Sequence, residues 1–155
     1  MSITKILSRG ISTLPAGSVL QVVTGETTTN TQITSTSYTD TSLTATITPS
    51  SASNKILILV SQNVQMERGT FEISTTIQLL KNLTSLSEKT ISISTGAVNS
   101  QGIRGVFSIS HLDEPSTTSA ITYKTQGKIN STANSGTCRF QEGTRSEIVL
   151  IEIAG

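Results

Sequence analysis

The chain has no tryptophan, one cysteine and one histidine in 155 residues. A lone thiol, Cys138, excludes an internal disulfide and a cysteine-based zinc cage. Aromatic residues are only 3%, two Tyr and three Phe, so platforms for stacking sugars or bases are scarce. Charged residues are 14% and the formal net charge is +1, with no Lys/Arg cluster interleaved with aromatics, which disfavours a nucleic-acid partner. No apolar run approaches the length of about eighteen residues that a membrane span needs, so no membrane partner is expected. The opening MSITKILSRGISTLPAG has one short apolar patch broken by Lys5 and Arg9, and lacks the apolar stretch of a secretion signal. Only Asp40 and Asp113 are aspartates, and neither sits in a calcium-loop pattern; no Gly-rich phosphate loop is present.

What the chain has instead is Ser and Thr, about a third of all residues, well above ordinary usage. Such polarity permits disorder, because little apolar surface offsets chain entropy. Against that, the apolar residues are regularly spaced and mostly β-branched, which suits a pleated surface. No helical period is sustained, and strands separated by turn signals are predicted throughout.

Residues 1–16 read as an extended N-terminal arm, and 17–155 as a single domain. Strands are predicted at 17–24, 32–38, 42–48, 55–65, 71–81, 88–94, 103–112, 120–129, 137–140 and 144–153. Turns fall at Pro49–Asn54, Glu67-Arg68-Gly69, 113–118 and Asn134-Ser135-Gly136, with a loop over 96–102. The segments 42–48 and 55–65 read as a hairpin-like pair around Pro49. About eight to ten short strands at this spacing predict an all-β, antiparallel β-sandwich.

Two strands stand apart. Thr41–Thr48 alternates, with Leu43, Ala45 and Ile47 on one side and threonines on the other, but Lys55–Val60 reads KILILV and is apolar on both faces. Ile148–Ile153 is the same apart from Glu152. In a sandwich the outer face is usually wet, so a dry outer face needs a cover: the arm, a neighbouring subunit, or the domain's own loops. Ile56, Leu57, Ile58, Leu59, Val149, Leu150 and Ile151 are therefore candidate oligomer-interface residues.

Candidates for chemistry are few. His111 with Asp113 and one of the many serines resembles a nucleophilic group only in composition, and no Gly-x-Ser-x-Gly pattern occurs. The plainer reading is a strand-end histidine beside an acidic turn. Glu67, Glu72, Glu142 and Glu147 are scattered, and a paired-carboxylate glycosidase normally brings aromatic sugar platforms. Cys138 beside Arg139 reads either as an activated thiol or as a small core residue, the commoner fate of a lone strand cysteine. No catalytic residue, metal ligand or cofactor is assigned. Asn82-Leu83-Thr84 and Asn130-Ser131-Thr132 are sequons expected by chance in so Ser/Thr-rich a chain.

Four stretches, GSVLQVV (17–23), TSLTATITPSSASNKILILVSQ (41–62), HLDEPSTTSAITYKTQGKI (111–129) and SEIVLIEIAG (146–155), together resemble a family of small β-rich virion proteins of tailed bacteriophages, many infecting aquatic bacteria and cyanobacteria. The resemblance spans nearly all of residues 15–155. It implies a jelly-roll or TNF/C1q-like sandwich assembled as a homotrimer, found in capsid decoration proteins and in tail-fibre tips, with no catalytic residues. A short front end in place of a fibre shaft implies a decoration, or cement, protein on the capsid exterior, with the phage major capsid protein as partner. The alternative is a tail-fibre or tail-adaptor module that binds a host glycan or another tail protein. The arm residues Ile3, Ile6, Leu7, Ile11 and Leu14 are candidate capsid contacts, lying in a groove or adding a strand to a neighbour.

Overall fold

The computed structural model describes residues 14–68, 72–94, 101–131 and 136–155. The expectations for Ile3, Ile6, Leu7 and Ile11, for Gly69 and Phe71, for the loop residues 96–100 and for the turn at Asn134-Ser135 lie outside the described residues. The described chain forms ten strands: β1 (Val19–Thr27), β2 (Thr31–Ile33), β3 (Thr39–Ile47), β4 (Lys55–Arg68), β5 (Glu72–Lys81), β6 (Thr84–Ser94), β7 (Gln101–Asp113), β8 (Ile121–Ile129), β9 (Thr137–Phe140) and β10 (Ser146–Ile153). No helix occurs among the described residues.

Two antiparallel sheets pack face to face. The second sheet has the order β3-β8-β5-β6. In the first, the long β4 is the organising strand. β7 pairs with it along one side, from Ile56↔Asp113 to Arg68↔Gln101. On its other side β10 takes the first half (Lys55↔Ile153 to Ser61↔Glu147) and β9 the second (Val64↔Phe140 to Glu67↔Thr137). β1 and β2 then pair with β10 and β9 respectively. The first sheet is thus four columns wide: β1/β2, β10/β9, β4 and β7. Columns of this order facing β3-β8-β5-β6 make an eight-column jelly roll.

The local chemistry explains where columns break. Between β9 and β10 the chain turns through Gln141 (φ 58°) and Gly143 (φ 65°), and Gln141 N donates to Asn63 O at 3.3 Å. The Gln141 side chain fills the gap: with the amide turned so that its oxygen faces Gln62 Nε2 (2.7 Å) and Ser146 Oγ (2.9 Å), its two N–H groups are shared among the carbonyls of Thr29, Thr41 and Phe140. Thr125 Oγ1 donates to Gln62 Oε1 at 2.6 Å and meets Thr41 Oγ1 at 2.5 Å. This buried polar seam ties both sheets together where the ladder is interrupted.

The strand predictions need four corrections, the simplest being that β6 begins at Thr84 and not at residue 88. The segments 42–48 and 55–65 do not pair: β3 bonds β8 in one sheet, while β4 bonds β10, β9 and β7 in the other. Both bury an apolar side, Leu43, Ala45 and Ile47 on one and Ile56, Ile58 and Val60 on the other, so burial is served by stacking across the core instead of pairing edge to edge. The polar 32–38 stretch is a strand only to Ile33, the last residue of β2, because Thr34-Ser35-Thr36-Ser37 has no apolar alternation to bury. Glu67 and Arg68 extend β4 instead of forming a turn, and Gln101 and Gly102 open β7.

The core is aliphatic, around Tyr123, Phe107 and Phe140, with Phe107 and Phe140 ring centroids 6.5 Å apart. Each fully buried Ile or Leu contributes about 1.5–3 kcal/mol. Close approach fixes two strand glycines. A Cβ on Gly127 would lie 2.5 Å from the Phe140 ring, and one on Gly25 would lie 2.1 Å from the Thr44 carbonyl oxygen.

Candidate interaction surface

β4 and β10 sit at the centre of the first sheet, so their inward side chains, Ile56, Ile58, Val60, Ile148 and Leu150, enter the core. Strand alternation then aims Leu57, Leu59, Val149 and Ile151 outward. The register aligns these outward residues into rows. One row reads Val22, Ile151, Leu57, Leu112 across all four columns. The next reads Thr24, Val149, Leu59, Ser110. On the side toward the chain's entry into β1 lies Val19, Ile153, Lys55. On the opposite side lies Glu26, Glu147, Ser61, Ser108. Val19 is 58% exposed, Val22 56%, Leu112 50% and Leu59 39%, so the aliphatic rows face solvent in the isolated chain. A shallow depression of about 260 Å³ opens beside Leu59 and Val149, edged by Ser61, Ser108, Ser110 and Glu147.

Charge frames this patch. Lys55 Nζ pairs with Glu114 at 2.7 Å on the rim by β7. Arg145 reaches Glu26 at 2.9 Å on the other rim. Glu147 has no ion-pair partner among the described residues. Farther along the same face the surface is polar apart from the exposed Val106, with Arg139 on Glu67 at 2.9 Å and Arg104 Nε donating to Gln65 at 2.9 Å.

The outward face of the second sheet is different in kind. Cross-strand polar pairs cover it: Thr46 with Thr122 (2.8 Å), Thr76 with Thr90 (2.7 Å), Gln78 to Gln126 (2.8 Å) and Gln126 to Asp40 (2.7 Å). Lys124 bridges Asp40 at 3.0 Å. Burial raises the Asp40 pKa, but the hydrogen bonds from Gln126 and Lys124 and the Lys124 charge outweigh it and hold the carboxyl below its usual value. These side chains satisfy one another, so this face is already suited to water.

One carboxylate is buried inside the apolar strand. Glu152 is fully buried and accepts from Gln21 Nε2 (2.5 Å), Ser50 N (2.6 Å), Ser50 Oγ (2.8 Å) and Asn54 Nδ2 (2.6 Å). Desolvation pushes its pKa up, but the bonds from Asn54, Gln21 and Ser50 prevail and hold it below the ordinary glutamate value. Glu152 thus ties the Pro49–Asn54 crossover to β10.

The residues considered for chemistry fall in separate places. His111 is half-buried on β7 opposite Ile58. Asp113 is occupied: Tyr123 Oη donates to Oδ2 at 2.7 Å and Lys81 Nζ to Oδ1 at 2.9 Å. Burial, then the Asp113 hydrogen bond and charge, push the Tyr123 hydroxyl far above its usual pKa. Cys138 is fully buried, and desolvation lifts its pKa to about 12, with a smaller opposing effect from Thr75, so it packs as a core residue. Among the described residues no group of three or more His, Cys, Asp or Glu is placed to hold a metal ion.

Against known proteins, the chain matches no family model and no curated sequence. Of the seven interface candidates, Ile56, Ile58 and Leu150 point into the core and are unavailable to a partner in the folded chain. Leu57, Leu59, Val149 and Ile151 lie side by side on the outward patch. Of the arm residues only Leu14 is described, and it is exposed. Val19, Val22, Leu112 and Ile153 complete the patch. The contribution of Val19, Val22 and Leu112 was hidden in the sequence because it depends on which strands lie beside β4 and β10.

Proposed function

We propose that this chain is a structural protein of a tailed-bacteriophage particle, a capsid decoration protein that stabilises the head from outside. The observation that carries the reading is the contrast between the two outward faces: one largely polar and self-satisfied, the other carrying contiguous aliphatic residues on a four-column sheet. Apolar patches of that kind mark association surfaces. The jelly-roll order agrees with the fold that the sequence resemblance implies. The proposed partners are the major capsid protein and other copies of the chain; the resemblance implies three copies. The arm residues Ile3, Ile6, Leu7, Ile11 and Leu14 are proposed as the capsid contact.

A tail-fibre or adaptor role is the second reading. The depression of about 150 Å³ bordered by Asp40, Ser42, Thr44 and Lys124 on the polar face favours it, since such donors and acceptors suit a glycan. Immunogold labelling of intact particles decides between them. Label spread over the heads supports decoration, label at the tail tip supports the fibre reading, and unlabelled particles refute both. Deleting residues 2–14 is expected to abolish head binding while leaving the sandwich folded; undiminished binding refutes the arm's role.

A further inference from the structure

The aliphatic rows leave open what covers them, and the pattern of the patch narrows the choice. We infer that the outward face of the first sheet pairs with the same face of a second copy of this chain, stacked about a two-fold axis that lies between the sheets and runs across the strands. The inference rests on reading this face as an assembly surface, and it departs from the three copies that the sequence resemblance implies.

Three observations carry it. The first is count. A closed three-fold ring needs two different complementary surfaces on each subunit, whereas a two-fold contact uses one surface twice. The described residues offer one contiguous aliphatic patch, and the opposite face of the sandwich is polar. The second is shape. Stacked sheets need matching twist to sit about 10 Å apart at a small angle, and a second copy brings an identical twist. From strand spacing and rise, the patch is about 19 Å across its columns and about 20 Å from the Ile153 row to the Glu147 row. Closing two such patches of about 380 Å² each buries on the order of 800–1,000 Å² in total, at the lower bound for a specific interface, so the assembly is weak and depends on concentration.

The third is charge, which selects the axis. At one end of its strands the patch has Lys55, whose exposed pair with Glu114 can exchange; at the other it has Glu26, paired with Arg145, and Glu147, which has no ion-pair partner among the described residues. An axis across the strands reverses the row order. It lays the Val22–Ile151–Leu57 row on the Val149–Leu59 row, and brings Lys55 over the acidic row of the second copy. Glu147, without an ion-pair partner among the described residues, then gains one. An axis along the strands would instead stack Lys55 near Lys55 and Glu147 near Glu147, which like-charge repulsion opposes.

The test is the mass of the full chain in solution by sedimentation equilibrium, over a concentration series that reaches the weak-assembly range. A species of about twice 16.3 kDa is expected. A monomer throughout, or a trimer, overturns the inference. Leu59→Glu, at a partly exposed position, should weaken pairing at least tenfold with an unchanged circular dichroism spectrum; unchanged pairing overturns it. Lys55→Glu and Glu147→Lys should each weaken pairing, and the double reversal should restore it. Failure of the double variant to restore pairing rejects this axis. The functional reading fails separately: a dimer absent from virions refutes decoration and leaves the pairing intact, and a monomer that still decorates heads does the reverse.

Discussion

Replacing Glu152 by Gln removes a buried charge that four donors surround. Hydrogen bonds to a charged group contribute about 1.5–3 kcal/mol and neutral ones about 0.5–1.5, so each bond should weaken by about 1 kcal/mol. One of the new amide's ends also presents N–H to Gln21 Nε2. Gln21 can rotate to accept it, but then gives up its 2.9 Å bond to Thr48 O. Opposing these losses, the amide needs no desolvation of a charge, which offsets part of the total. A net loss of about 2 kcal/mol at pH 7 is expected, or about 4–8 °C in Tm for a domain of this size. The effect must depend on pH. Because the folded-state pKa of Glu152 is depressed, its stabilisation is present above the unfolded value of about 4.3 and is lost as pH falls through the folded value. Urea unfolding of both proteins, followed by circular dichroism at pH 7, 5 and 3, reads this directly. The gap in midpoint should be open at pH 7 and close toward pH 3, with unchanged m-values. A variant as stable as the parent at pH 7, or a gap of constant size, would refute the account of Glu152 as a working carboxylate.

Gly25→Ala forces a Cβ against the Thr44 backbone, which cannot rotate away, and should cost about 3 kcal/mol in a urea titration. Tyr123→Phe leaves Asp113 Oδ2 without its donor and should cost about 1–3 kcal/mol by the same measurement. The Cys138 thiol should resist a thiol reagent at pH 8 in buffer and react fully in urea; rapid native labelling would mean the core is open there. Ile58→Asp should prevent folding, seen as loss of the β spectrum, because the charge would enter a site with no exposure and no partner.

Alternation made much of the sandwich legible. In β8, Ile121, Tyr123, Thr125 and Ile129 are all buried, as period two requires, and Leu43, Ala45 and Ile47 behave likewise in β3. Pairing was less legible, because nothing local says whether a Pro-containing turn closes a hairpin or carries the chain between sheets. The candidate surface shows the same limit. KILILV announces two apolar faces, but only the register with β10 and β7 separates Leu57 and Leu59 from Ile56 and Ile58 and adds Val22 and Leu112. The Gln62–Thr125–Gln141 seam gave no signal at all, since its members lie far apart in sequence and each looks like an ordinary strand polar residue. Glu152 did give one: a lone carboxylate in an aliphatic run needs donors, although not which ones.

The column order bears on how this protein is made. β4 is complete once residue 68 has been synthesised, yet its neighbour along Lys55–Ser61 is β10, and β1 waits for the same strand. Until residue 153 leaves the ribosome, β4 has an unpaired edge and β1 has no neighbour, so the first sheet cannot close during translation. The half-made chain carries an aliphatic strand with a free edge, the state most exposed to aggregation. Fragments ending before β10 should therefore be insoluble, and a host chaperone that shields KILILV during synthesis should raise the yield of folded protein.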